Sequence, residues 1–558
     1  MALEADSGPV ATSDFAAAAE ALRSERPPRN PRLREAECAL RENRLGEAYE
    51  LLSRFVEKHP NDALALHLMA NAALRLGRKE QAETLLAQSI ALAPDFAAAR
   101  YSYANALALL NKPEAALEQL EWLLKKDPRN LLYRHLKAVV LTATGDHAEA
   151  LLCYRGMADD FSRSPEVWIS YGSALRSLGQ REESIAAYRR ALALRPSFGE
   201  PYWSLSGLNY GFSDIEVQEM QSQLARADVS GEDRMYIHFA LGRVLGGKAR
   251  YQESFENYAR ANAIKRMNVD YDPEALTKHV RACMAILTQE FFQARAGTGC
   301  DAQGPIFILG MQRAGSTLVE QILASHSAVE ATAELPNISL LAEHIGESIA
   351  PLHGSNYPDV LAKLDAGTLR SFGEQYLETT RSHRKLGRAF FTDKMPYNFL
   401  HVGLIHLILP NAKIIDARRH PLGCGFSNFA MHFKSGALFA YRLAELGQAY
   451  ANYVELMAHF DRVLPGRIHR VLYEDLVRDT EKEVRRLLEY VGLPFEKACL
   501  EFHTSQRAMD SVSSEQVRRP IYDDAIDQWR HYEPWLGPLK SALGPVLDAY
   551  PDVPVFPA

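Results

Sequence analysis

Nothing in this sequence pairs its cysteines. The six, Cys38, Cys153, Cys283, Cys300, Cys424 and Cys499, are scattered with no short spacing between them, which argues against both a zinc site and a disulfide framework and favours a reducing compartment. No apolar run reaches the roughly 18 residues that a membrane span needs. Residues 1–30, with acids near the start and the proline-rich "SERPPRNPR", lack the basic-then-apolar order of a signal peptide. There is no positive excess either. Lys and Arg number 63 against 70 Asp and Glu, a net charge of -7, so neither nucleic acid nor an anionic membrane is expected as a partner, and any anion site must be a focused one. With 47% hydrophobic and 24% charged residues, the chain reads as a soluble, cytoplasmic protein with a frayed N-terminus.

At 558 residues the chain is long for one hydrophobic core, and two or three domains are expected. The first half repeats. Small residues recur at Ala70, Ala104, Ala138 and Gly172, and again at Ala48, Ala82, Ala116, Ala150 and Ser184, each 34 residues apart. Pro60, Pro94, Pro128 and Pro196 close four of the units. A helix, a turn, a second helix and a proline stop in that register resemble the tetratricopeptide repeat, in which small side chains sit where paired helices approach closely. Units are expected at 29–62, 63–96, 97–130, 131–164 and 165–198, with a further one at 235–268 suggested by Gly242, Ser254 and Ala261. Stacked pairs form an α-solenoid whose groove suits an extended peptide or a partner protein. Such arrays can also dimerise through a terminal helix, so a homodimer stays open.

After Asp272 the composition changes. A helical linker over 269–304 leads into "PIFILG", beyond which strand-like runs ("AFFTDK", "AKIIDAR", "RIHRVLYEDL") alternate with helical ones. That alternation predicts an α/β domain with a parallel sheet over 305–558, following a flexible stretch at 1–28 and the repeats at 29–268.

The domain opens on a phosphate loop that lacks its lysine. "IFILGMQRAGSTLVEQIL" has Gly310, four residues, Gly315, and then Ser316 where an NTPase carries lysine, followed by Thr317. A strand feeding a helix through a glycine turn aims several backbone N–H groups at one spot, where the helix dipole adds partial positive charge. Without the lysine a triphosphate loses its main charge partner. Arg313, inside the loop, is the replacement cation, suited to a phosphate or sulfate oxygen bound without metal. A second constellation, "NAKIIDARRHPLGCGFSNF", presents Arg418, Arg419 and Ser427 after a short strand, a candidate second anion site. Taken alone, the arginines also read as a solvated pair at a strand end, and Asp416 as a metal-binding acid.

Together "ILGMQRAGSTLVEQILASH", "TDKMP", "ARRHPLGCGFSNF", "VLYEDLV" and "SSEQVRRPIYDDAIDQWRHYE" resemble the sulfotransferase superfamily, specifically bacterial sulfotransferases related to the tyrosylprotein sulfotransferases, many of which carry N-terminal tetratricopeptide repeats. The resemblance implies a P-loop-like fold and a donor, 3′-phosphoadenosine 5′-phosphosulfate (PAPS), used without metal. It also implies roles. Arg313, Gly315, Ser316 and Thr317 would hold the 5′-phosphosulfate and Arg419 and Ser427 the 3′-phosphate. Tyr473 would lie near the nucleotide, while Ser513 and Arg519 would close over it.

By the same resemblance Glu334 would take the proton of an acceptor hydroxyl. Lys394, at the end of a short apolar strand, would stabilise charge on the bridging oxygen with help from Arg313. His326 and His401 are rival bases, though structural histidines fit their contexts better. One departure matters: two residues after Glu334 the animal protein-tyrosine enzymes have arginine, whereas this chain has Pro336. The acceptor, whether protein tyrosine, carbohydrate hydroxyl or small phenol, is therefore less well defined than the donor. The other readings are a repeat scaffold with a nucleotide-binding but catalytically weak domain and a P-loop kinase or NTPase; Ser316 in the lysine position disfavours the latter.

Overall fold

Each 34-residue period builds two helices in the computed structural model, which describes residues 14–28, 30–332, 334–433, 436–504, 519–521 and 524–556. After α1 (Asp14–Arg23) come five pairs: α2 (Pro31–Arg41) with α3 (Leu45–Val56), α4 (Ala63–Arg75) with α5 (Lys79–Leu92), α6 (Ala97–Leu109) with α7 (Pro113–Lys126), α8 (Leu131–Ala143) with α9 (His147–Asp160), and α10 (Pro165–Ser177) with α11 (Arg181–Leu194). The turn inside each pair places one residue in the left-handed region: Asn43, Gly77, Asn111, Gly145 and Gly179, with φ of 59°, 80°, 54°, 82° and 76°. Glycine and asparagine are the residues that tolerate this conformation best, so the turn itself carries the period. The small residues are the contact points. A Cβ on Gly172 would lie 2.7 Å from the Tyr188 ring, and the Ser184 hydroxyl donates to Gly172 O at 2.8 Å.

The same device reappears beyond the fifth pair. The helices α12 (Gly199–Gly207) and α13 (Asp214–Ala225) are followed by α14 (Gly231–Gly247) and α15 (Tyr251–Met267). In this last pair a Cβ on Gly242 would lie 2.6 Å from the Tyr258 ring, Ser254 donates to Gly242 O at 2.5 Å, and Ala249 takes the left-handed turn at φ 58°. Each is displaced by 70 residues from its counterpart in the fifth pair. Then come α16 (Pro273–Ile286) and α17 (Gln289–Gln293).

The sheet contains five parallel strands: β1 (Pro305–Gly310), β2 (Val329–Ala331), β3 (Phe390–Lys394), β4 (Lys413–Arg418) and β5 (Ile468–Leu472), in the order β2-β3-β1-β4-β5. Between and after them run α18 (Ser316–Ala324), α19 (Asn337–His344), α20 (Ala366–Thr379), α21 (Val402–Ile408), α22 (Pro421–Phe429), α23 (Leu443–Val463), α24 (Tyr473–Arg478) and α25 (Thr480–Val491). All six residues of β1 are buried, as a parallel strand covered on both faces requires. Its side chains alternate between two cores. Ile306 and Ile308 pack with Val319 and Ile322 of α18 and with Leu487 of α25; Phe307 and Leu309 join Leu446 and Tyr453 of α23. Each fully buried aliphatic contributes roughly 1.5–3 kcal/mol. The expected architecture, a helical repeat array followed by an α/β domain with a parallel sheet, is the one observed. Among the described residues no helix is long and apolar enough to cross a membrane.

The compact units divide elsewhere than the expected boundaries at 268 and 304. They are Met1–Leu194 and Arg195–Ala558. The reason is packing. Phe239, Tyr258, Val280, Leu287 and Phe292 belong to the same core as Phe307 and Leu309 of β1. Polar contacts add to it: Asn262 Nδ2 donates to Phe429 O at 2.8 Å, Arg266 meets Glu445 at 3.0 Å, and Tyr251 stacks on His531 with centroids 4.4 Å apart. A fragment 195–558 is therefore expected to melt cooperatively by circular dichroism. A fragment 305–558, cut at the boundary suggested by sequence, should lack a cooperative melt because the helices that complete one face of that core, with Phe239, Tyr258, Val280, Leu287 and Phe292, are missing; a sharp transition in it would contradict this packing.

Candidate active site

Strand order sets where a ligand can bind. The connection leaving β1 runs toward the β2–β3 side of the sheet, while that leaving β4 runs to β5 on the other side. The crevice between the carboxyl ends of β1 and β4 is thus the switch point, the favoured binding position in open parallel sheets. There the two strands come very close. At Gly310 (φ 133°) a Cβ would sit 2.3 Å from Ala417 O, so only glycine lets the chain turn into the loop.

Within that loop Arg313 adopts φ 65°, a left-handed conformation that costs a residue with a side chain roughly 1–2 kcal/mol. Contacts from the other side of the crevice hold it there. Arg419 Nη1 donates to Arg313 O at 3.3 Å, and Arg313 Nε donates to Ser427 Oγ at 3.0 Å. The neighbouring Gln312 O accepts from Asn428 Nδ2 at 2.7 Å and from the Cys424 thiol at 3.2 Å, so one face of α22 grips the loop. Gly315 (φ 98°) precedes α18, whose first turn, bearing the buried Ser316 and Thr317, has no side-chain cap. Its leading N–H groups are available to an anion. Tyr473, at the start of α24, closes the floor: its ring would be 2.8 Å from a Cβ on Gly315 and lies under the Arg419 guanidinium at 4.7 Å.

The structure thus gathers Arg313, Gly315, Ser316, Thr317, Arg419, Ser427 and Tyr473 at one crevice. Expectation gave Arg313 and Ser427 to opposite ends of a nucleotide, yet here they are hydrogen-bonded. On the β2–β3 side, Glu334 follows β2 and forms an ion pair with Lys394 at the end of β3; the lysine is buried and the carboxylate is about half-exposed. Arg519 is exposed, and no described contact brings it into this cluster. Ser513 lies outside the described residues.

Three sequence alternatives are corrected. Arg418 is not part of a solvated pair: it is fully buried, with Arg418 Nη2 3.0 Å from Asp416 Oδ2. Asp416 is not a metal ligand, because Arg470 Nε also reaches it at 3.0 Å and the Tyr453 hydroxyl donates to it. Burial alone would raise its carboxyl, but the charges of Arg418 and Arg470 overcome this and hold it below the usual range. Neither rival base is free: His326 Nε2 lies 3.0 Å from Pro494 O and Nδ1 accepts from Ala328 N–H at 3.1 Å, while His401, pushed down to about 3 by burial and then by His279, lies 3.1 Å from the Tyr357 hydroxyl. Among the described residues no cluster of His, Cys, Asp or Glu could hold a metal ion.

Two features escaped sequence reasoning. Arg243, on α14, is half-buried over the Trp203 ring at 3.9 Å, with Nη2 3.8 Å from Met431 Sδ just beyond α22. Its charge reaches the loop: burial, then Arg419 and Arg243, push the Arg313 guanidinium down to about 10. Only its charge, one residue after the repeat's Gly242, could have marked it. The other is Asp393, buried beside Lys394, whose Oδ2 accepts from the Tyr376 hydroxyl at 2.8 Å. Burial pushes this carboxyl up to about 8 against the hydroxyl's opposing effect.

Residues 305–497 match the sulfotransferase family, and residues 39–94, 104–165 and 165–198 match the tetratricopeptide repeat. The chain is similar to an uncharacterized protein of Aquifex aeolicus (strain VF5), 30% identical over 420 residues that make up 74% of this chain and 54% of that one. It spans about half the length of this curated relative. Among solved structures it is similar to the sulfotransferase domain from the curacin biosynthetic pathway (20% identity, 41% of this chain and 91% of that one, TM-score 0.30). It is also similar to the sulfotransferase domain of the Synechococcus PCC 7002 olefin synthase (22% identity, 42% and 90%, TM-score 0.32).

The Asp393 environment has a pH signature. An unfolded aspartate releases its proton near pH 3.9, whereas the folded carboxyl holds it to about 8. Between those values unfolding sheds a proton, so stability falls as pH rises from about 4 to about 8. Asp393→Asn is expected to flatten that fall in a series of urea-unfolding curves; an unchanged slope would count against a protonated Asp393.

Proposed function

We propose, from the premise that this chain joins tetratricopeptide repeats to a domain of the sulfotransferase family, that it transfers a sulfuryl group from PAPS to an acceptor hydroxyl. A protein tyrosine is one candidate acceptor, and the repeats recruit the acceptor or a partner protein. The observation that carries the reading is the lysine-less loop at the switch point, where Arg313 is fixed by Ser427 and Arg419 beside an uncapped helix start. That is a set of donors for phosphate and sulfate oxygens with no metal-binding acid built in.

In this reading the backbone N–H groups of Ser316 and Thr317, with Arg313, grip the 5′-phosphosulfate. Arg419 and Ser427 grip the 3′-phosphate, Tyr473 lies along the nucleotide, and Ser513 and Arg519 close over it. Arg243 adds positive charge to the crevice from α14. The acceptor oxygen forms its bond to sulfur as the bond from sulfur to the bridging phosphate oxygen breaks, in line. Glu334 receives the hydroxyl proton, and Lys394, with Arg313, meets the charge left on the bridging oxygen. The ion pair between Lys394 and Glu334 supports this assignment, since it keeps acid and ammonium together until the donor gives the lysine another anionic partner.

Calorimetry with 3′-phosphoadenosine 5′-phosphate against ATP and magnesium tests the reading. Tight, metal-independent binding of the first is expected; preference for the second would replace it with nucleotide hydrolysis. Arg419→Ala is expected to weaken the 3′-phosphorylated nucleotide by about 1.5–3 kcal/mol more than its analogue lacking that phosphate. Equal losses would remove Arg419 from the 3′-phosphate. Glu334→Gln should leave nucleotide affinity unchanged while turnover drops roughly 100-fold to 10,000-fold, with a smaller loss on a strongly acidic phenol that is already partly ionised. The Lys394→Ala deficit should persist on that phenol. Near-normal turnover by Glu334→Gln on an unactivated acceptor would take the glutamate out of the mechanism.

A further inference from the structure

The helix α1 lies outside the repeat period, and it packs against the first helices of the third and fourth repeat units, α6 and α8. Its sequence, "DFAAAAEALR", buries one stripe only: Phe15, Ala18, Ala19 and Leu22 are half-buried, while Asp14, Ala16, Ala17, Glu20, Ala21 and Arg23 are exposed. That spacing of three and four residues is the signature of one helical face laid on a surface. The contacts are specific. Phe15 meets the His135 ring edge-on with centroids 5.0 Å apart at 82°. Leu22 packs with Phe96, Ala98 and Ala99 at the start of α6 and with Tyr133 of α8.

Beyond the helix the chain makes a second kind of contact. The Ala98 N–H donates to Glu25 Oε2 at 2.8 Å and the Ala97 N–H to Glu25 Oε1 at 3.2 Å. These are the orphan donors at the N-terminus of α6, which has no side-chain cap of its own, so Glu25 supplies from a distance the cap and the negative charge that a helix start favours. Arg26 then lies over the Phe96 ring at 4.8 Å.

We infer that this face of α6 and α8 is a helix-docking site, occupied in the isolated chain by its own α1. The partner it fits is an alanine-rich amphipathic helix with an aromatic residue at its first turn, a leucine seven residues later and a carboxylate three residues beyond that. Such a partner exchanges with α1; the ligand of this face is a helix with a trailing acid rather than an extended peptide. The inference rests on the reading of the repeats as a recruiting array, but its test needs neither donor nor acceptor.

The probe is a fluorescent peptide of residues 12–28 titrated into the full-length chain and into a full-length Phe15→Asp, Leu22→Asp double variant. No residue of α1 is fully buried, so the double variant should keep the wild-type melting temperature while releasing the face. The peptide is expected to bind the double variant at least about tenfold more tightly, because in the wild type it competes with a tethered copy at an effective concentration on the order of millimolar. Peptides carrying Phe15→Asp or Glu25→Gln should lose that binding. Equal affinity for both proteins, or none for either, would overturn the inference. So would a halving of mass by light scattering in the double variant, which would mean that α1 docks on a second copy. A result against sulfuryl transfer leaves these outcomes unchanged, so the two readings fail separately.

Discussion

The backbone contact between β1 and β4 at Gly310 and Ala417 is the constraint from which the crevice is built. With a would-be Cβ only 2.3 Å from a carbonyl oxygen, the two strands leave no room for any side chain. Their following loops are thereby brought within hydrogen-bonding reach of one another. Arg313 is then held in its left-handed conformation by contacts from across the crevice, with Ser427 and with Arg419. Asp416 and Arg418, on either side of Ala417, brace the same strand end from within. Breaking such a buried pair typically costs about 3–5 kcal/mol because an uncompensated charge is left behind.

The crevice also depends on helices that come long before the sheet in the chain. Asn262 satisfies the Phe429 carbonyl at the end of α22, the helix that grips Gln312 and Arg313, and Arg243 stands beside Met431 just past it. Groups carried on α14 and α15 thus support the helix that holds the loop. Three arginine charges converge on a region where burial already disfavours the charged form of Arg313. An anion bound there would offset the repulsion among these arginines.

Much of this was legible in the residues. The 34-residue period gave the helix pairs because small residues and left-handed turns recur wherever two helices must approach closely and reverse. The uninterrupted apolar run of β1 and the glycine turn after it gave the strand, the loop and the helix start. The division into compact units at residue 195 was not legible, since periodicity records that α14 and α15 pair with each other but says nothing of the surface on which their other face is buried. Arg243 was missed for the same reason. The bond between Arg313 and Ser427 joins residues 114 positions apart, and the contact of Lys394 with Glu334 joins residues 60 apart; only strand order brings such pairs together. Asp416 looked like a metal acid because its two arginine partners, Arg418 beside it and Arg470 on the next strand, were not predicted to turn inward.

The glycine, serine and tyrosine of the fifth pair and those of α14–α15 are the same contact used twice, once inside the repeat array and once beside the parallel-sheet domain. In a repeat protein each unit leans mainly on its neighbours, so one unit can be fixed by the α/β core while those before it remain interchangeable. The number of repeats upstream of residue 195 becomes a free variable. Units can be gained or lost in multiples of a helix pair, altering which surface the array offers to other molecules, while the wall that shapes the crevice stays as it is.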